Sequence, residues 1–118
     1  MNRTQRNMQE VATEIKNAGF DVYLSNNGEY GFYTDGKRVV SFNDDLGGVC
    51  LSGNYMPQPT LGSGWRLDAS ELELSTEYLQ HKLNERAPRW ATNGLAVDYT
   101  TPEYYLKVYG ESSGFHKI

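Results

Sequence analysis

The stretch FDVYLSNNGEYGFYTDGKRVVSFNDDLGGVCLSGNY, residues 20–55, decides the fold class. It holds four short runs rich in aromatic and β-branched residues, 20–25, 30–34, 37–42 and 49–55, separated by turn residues. Asn27-Gly28 and Asp35-Gly36 are dipeptides that readily supply the positive φ angles of a tight hairpin, and residues 43–48 supply a looser turn. The pattern predicts a four-stranded antiparallel β-meander.

Two-residue loops at both tight turns would pair Asn26 with Glu29 and Thr34 with Lys37. Val22, Leu24, Gly31, Tyr33, Arg38, Val40 and Phe42 then share one face. The other face carries Tyr23, Tyr30, Phe32 and Val39, aromatic where a solvated face would be polar. Some other part of the chain must cover it.

Upstream, Met8, Val11, Ala12, Ile15 and Ala18 recur at helical spacing, with Gly19 as the stop. Asn2 or Thr4 could cap this helix, although Arg3 and Arg6 sit badly at the positive end of its dipole. Downstream, Pro57, Pro59, Gly62 and Gly64 mark a loop over 56–67. Asp68-x-x-Glu71 and Ser70-x-x-Glu73 have capping-box spacing ahead of Leu72, Leu79 and Leu83, and Ser75 is an alternative start that would leave Leu72 and Leu74 extended. Thr101-Pro102-Glu103 opens a third helix ending at Gly110.

The expectation is one α+β domain over 1–118: helix 1–19, sheet 20–55, loop 56–67, a helical part 68–110 and a loosely held tail 111–118. The N-terminal helix is expected on one sheet face and the two C-terminal helices on the other, or at an edge.

Composition narrows the function. The net charge is −4 and the lone cysteine is Cys50, so direct nucleic-acid binding is disfavoured and a reducing, cytoplasmic setting is expected. Cations that would meet phosphates at the start of the second helix are replaced there by Asp68, Glu71 and Glu73. No apolar run is long enough to span a membrane, and residues 1–10 lack the apolar core of a signal peptide.

No catalytic, cofactor-binding or metal-binding set is legible. His81 and His116 have no ligands at useful spacing, and Cys50 alternates with Val49 and Leu51 on a strand without a base beside it. Gly62-Ser63-Gly64 is a fragment of a nucleophile elbow in a loop-forming context, and Gly47-Gly48 lacks the lysine of a phosphate loop. The basic group Lys82, Arg86 and Arg89 suits a helix C-terminus.

Two constellations suit recognition instead. One is aromatic, drawn from nine tyrosines, four phenylalanines and two tryptophans: Tyr23, Tyr30 and Phe32 on the sheet, with Tyr55, Trp65, Trp90, Tyr99, Tyr104, Tyr105 and Tyr109 later. The other is acidic: Glu71, Glu73 and Glu77, which either complement a helix dipole or dock on a basic surface. The contact residues expected are Tyr23, Tyr30, Phe32, Glu71, Glu73, Glu77, Trp90, Tyr104 and Tyr105.

The functional expectation is a non-enzymatic protein that binds another protein, such as a phage- or plasmid-encoded inhibitor of a host nuclease or defence complex. Two alternatives belong to other classes. One is a small enzyme or ligand-binding domain with a pocket built from Tyr33, Arg38, Asp44, Asp45 and His81. The other is a domain that forms homo-oligomers through an unpaired edge strand.

Overall fold

Asn7 starts the first helix. Its side chain accepts the Glu10 backbone N–H at 2.9 Å, and its own N–H donates to the Glu10 carboxylate at 3.3 Å, the reciprocal pair of a capping box. The computed structural model describes residues 7–45, 48–58, 62–68, 73–90 and 97–118. It places α1 at Met8–Asn17, so the cap lies downstream of the expected Asn2 or Thr4, which fall outside the described residues with Arg3 and Arg6. Gly19 follows the helix with φ 107°, the left-handed conformation that a glycine adopts without strain.

The strands are β1 (Asp21–Leu24), β2 (Tyr30–Thr34), β3 (Val39–Asp45), β4 (Gly48–Gln58), β5 (Gly62–Asp68) and β6 (His116–Lys117), with α2 (Thr76–Asn84) and α3 (Pro102–Ser113) between the last two. They form one antiparallel sheet in the order β5-β4-β3-β2-β1-β6. The expected four-strand meander is thus a five-strand meander, with a short sixth strand on the β1 edge.

β5 occupies ground expected to be loop, and Asp68 lies in this strand rather than capping a helix. The reason is backbone satisfaction. β4 continues from Leu51, its last partner opposite β3, to Gln58, and β5 supplies hydrogen-bonding partners for that overhang.

β1 and β2 pair in the register that the Asn27-Gly28 turn implies, with Val22 opposite Tyr33. The second hairpin differs: Thr34 faces Val39 rather than Lys37. Asp35 Oδ1 accepts the N–H groups of both Lys37 (2.9 Å) and Arg38 (3.1 Å), while the Thr34 hydroxyl donates to the Arg38 carbonyl at 2.6 Å. These side-chain bonds close a longer loop over 35–38. Because the slip is even, every residue keeps its face.

The first face packs Val22, Leu24, Tyr33, Val40, Phe42, Val49 and Leu51 against Met8, Val11, Ala12 and Ile15 of α1. Leu74, Leu79 and Leu83 join the same core, so α2 lies beside α1 rather than across the sheet as expected. Ser75 caps α2, accepting the Tyr78 N–H at 3.1 Å, and buried Leu74 remains extended before it. Two long-range bonds fix the side. The Thr76 hydroxyl donates to the Ala18 carbonyl (2.8 Å), and the Leu74 N–H donates to the Glu14 carboxylate (3.2 Å).

Gly31 is required by packing rather than by turn geometry. A Cβ there would fall 2.7 Å from the Phe42 ring and 2.9 Å from Leu24, closer than real side chains approach.

α3 covers the second face. Thr101 caps it, its hydroxyl accepting the Tyr104 N–H at 3.4 Å, and Pro102 takes the first turn. Phe32, with no exposed surface, is clamped between Tyr23 (4.8 Å, stacked), Tyr105 (5.0 Å, tilted) and Phe115 (5.2 Å, edge-on). The expected loose tail is instead integrated. α3 runs past Gly110 to Ser113, and the Ile118 N–H donates to the Val22 carbonyl at 3.0 Å. Phe115 packs on one face of the sheet while Ile118 packs against the core on the other.

Candidate interaction site

On the α3 face a groove of about 480 Å³ runs along β2 and β3. The paired residues Tyr30 and Asn43, and Gly31 and Phe42, line it with Ser41 from the sheet, and Tyr105 of α3 and Phe115 complete the lining. Sheet alternation places Tyr30, Phe32, Ser41 and Asn43 on this face together. Phe32 is fully buried on this face, and Tyr30, which lines the groove, remains 52% exposed.

The lining is aromatic with two neutral polar side chains, Ser41 and Asn43. Among the described residues no carboxylate, amine, imidazole or thiol lines it. Such a surface can desolvate and orient a partner.

No protein-family model, curated protein or solved structure matches this chain. The site must therefore be read from its own geometry.

That geometry divides the residues expected to make contact. Tyr23, Tyr30, Phe32 and Tyr105 gather on the α3 face, but Phe32 holds α3 in place rather than offering a surface. Tyr104 belongs to α3 and pairs with Tyr99 at 6.1 Å. Trp90 is 59% exposed beyond the end of α2, where it forms an isolated bridge with Asp98. Glu73 and Glu77 are exposed near α2, which packs on the opposite side of the sheet; Glu71 lies outside the described residues. Glu77 sits in the first turn of α2, where the helix dipole favours it.

Sequence reading missed Ser41, Asn43 and Phe115. Ser41 and Asn43 were legible by alternation from Phe32 and Tyr30 once strands were paired; Phe115 was not, because its position depends on where the tail returns.

The alternative pocket is not assembled. The Tyr33 hydroxyl is buried and donates to the Leu79 carbonyl at 2.9 Å, and burial pushes its pKa far up, with Tyr78 and Asp35 adding to the shift. Arg38 pairs with Asp98 at 3.3 Å, and His81 with Glu85 at 2.6 Å. Asp44 lies towards the opposite end of β3 from Arg38, with Asp45 the next residue in that strand. His116 bonds Asn26 at 3.0 Å, and Cys50 is buried. Among the described residues no group of three His, Cys, Asp or Glu side chains is placed to hold a metal ion.

Asp98 is the electrostatic hub that joins the 97–101 segment to the sheet. Its Oδ1 accepts from the Thr100 hydroxyl (2.6 Å), the Thr100 N–H (2.9 Å) and the Arg89 N–H (3.2 Å). Desolvation alone would raise its pKa. The hydrogen bonds from Thr100 and Arg89, aided by the Arg38 guanidinium, outweigh that and hold the carboxyl below its ordinary value of 3.8.

A carboxylate depressed on folding contributes stability that is present above its unfolded pKa and lost as pH falls through the folded one. The expected result is an acid-side loss of stability beginning near 3.8 and continuing below it, and less steep in Asp98→Asn. Urea midpoints measured across that range check it; an unchanged slope in the variant would remove Asp98 from the account.

Proposed function

We propose that this protein acts by binding another protein through the aromatic groove on the α3 face, without chemistry of its own. What carries the reading is Tyr30, a tyrosine 52% exposed in a groove that Tyr105 and Phe115 also line. Tyrosine gives large contact area for little lost rotamer freedom, and its hydroxyl keeps a polar bond at the interface. Exposed Trp90 offers a second anchor of the type that dominates interface energetics.

Among the described residues the groove lining holds no carboxylate, imidazole or thiol, which favours recognition over turnover, and no lysine or arginine, which favours a protein over a phosphate backbone. A small acidic chain with these surfaces fits an inhibitor or regulator, such as a phage- or plasmid-encoded inhibitor of a host nuclease or defence complex. Among the described residues no helix is long and apolar enough to cross a membrane, so the reading needs no bilayer.

The test is affinity capture with the whole chain and with Tyr30→Ser, followed by titration of the purified partner against both. Tyr30→Ser is expected to weaken binding about tenfold or more, the effect of removing an aromatic anchor, while leaving the melting temperature near that of the parent. A stoichiometric partner bound equally by both chains would place the interface elsewhere.

A further inference from the structure

Residues 114–118 leave α3 at Ser113 and return along the outer edge of β1. The joint is Gly114. Its φ of 63° lies in the left-handed region that glycine enters without strain, and a Cβ there would also run into the Asn26 side chain. Beyond the joint, Phe115 packs edge-on against Phe32 and lines the aromatic groove, whereas Ile118 packs against the core on the opposite face.

The attachment is slight. β6 pairs two residues with β1, Lys117 opposite Tyr23 and His116 opposite Leu24, and the Ile118 N–H adds its bond to the Val22 carbonyl. The ion pair between Lys117 and Asp21 (3.3 Å) joins side chains that are both more than half exposed, and the contact of His116 with Asn26 (3.0 Å) is exposed as well; such pairs contribute little in water. Phe115 and Ile118 are only half-buried. β2, by contrast, pairs four residues with β1 and five with β3. A segment with a short ladder and few buried contacts opens at a lower free energy than the domain as a whole.

We propose that residues 114–118 form a strap that opens and closes about Gly114 as one unit while the rest of the sheet stays folded, and that the aromatic groove is complete only when the strap is closed. Opening withdraws Phe115 from the groove and uncovers the outer edge of β1. The consequence for binding rests on the groove being the interaction surface. A partner held against Phe115 selects the closed strap, and a strand added to the β1 edge selects the open one.

The experiment is native-state amide exchange of the full chain, read by two-dimensional NMR at several low urea concentrations. The Ile118 N–H is expected to exchange faster than the amides that bond β2 to β3, and with a weaker dependence on urea, as an opening that exposes little surface should. Gly114→Ala places a Cβ in the left-handed region and should speed Ile118 exchange about tenfold. Phe115→Ala, which removes the ring contact with Phe32, should speed it by a similar factor, about tenfold. An Ile118 N–H that exchanges at the rate and with the urea dependence of the β2 and β3 amides would make the segment part of the global folding unit and overturn the strap. Ile118 exchange untouched by Gly114→Ala would overturn the hinge, and exchange untouched by Phe115→Ala would show that the groove residue and β6 do not move together. These measurements need no partner, so their failure is distinct from that of the groove reading, which partner titration against Tyr30→Ser decides.

Discussion

Phe32→Ala is expected to cost about 3–5 kcal/mol, the usual range for removing a fully buried phenylalanine. The upper half of that range is the better expectation, because this ring touches three separate segments: Tyr23 of β1, Tyr105 of α3 and Phe115 ahead of β6. Alanine would leave a cavity between them, and none of the three can close it without giving up its own contacts. A domain of this size is typically stable by only about 5–15 kcal/mol, so the variant should fold marginally. Urea denaturation measures the loss. Amide exchange localises it, with the Ile118 N–H that donates to Val22 exchanging far faster than in the parent. Phe32→Leu, which refills most of the volume, should recover much of the difference. A loss below about 1 kcal/mol in the alanine variant would mean that α3 is not anchored through this ring.

Leu79→Ala should cost about 2–5 kcal/mol, for a different reason. Leu79 has no exposed surface and stands midway along α2, where that helix meets the sheet beside α1. The substitution removes apolar contacts only, because the bond from the Tyr33 hydroxyl ends on the Leu79 main-chain carbonyl and survives in alanine. Tyr33→Phe tests the complementary half. It removes the hydroxyl and leaves the carbonyl, and is expected to cost about 1 kcal/mol. Thermal or urea unfolding of the two variants then ranks packing above the single hydrogen bond in holding α2. The reverse order, with Tyr33→Phe the more damaging, would show that α2 hangs on its polar tether.

These two positions also show what was legible in advance. Alternation in residues 20–55 assigned Phe32 and Tyr33 to opposite faces correctly although one hairpin register was off by two, since an even slip preserves the side-chain period. The aromatic character of the second face announced that something must cover it, and α3 with Phe115 does. The groove itself was only half visible: Tyr30 and Tyr105 were expected contacts, whereas the segment carrying Phe115 read as a loose tail.

Other misreadings share one cause. Residues 62–68 are glycine-rich and follow two prolines, so local propensity signals a loop; the unpaired overhang of β4 makes them a strand. Leu74, Leu79 and Leu83 identify an apolar stripe but not the side of the sheet that it meets. That choice rests on the Thr76 bond to Ala18 and the Leu74 bond to Glu14, which join residues far apart in the chain.

The sequence by itself determined the α+β class, the meander, the sidedness of its strands and the capping of α3, because these depend on residues a few positions apart along the backbone. Only the tertiary structure decided that α2 lies beside α1 and that β5 and β6 complete the sheet. Those outcomes depend on which distant groups remain to be buried or hydrogen-bonded after the local structure has formed, and no short stretch of sequence contains that information.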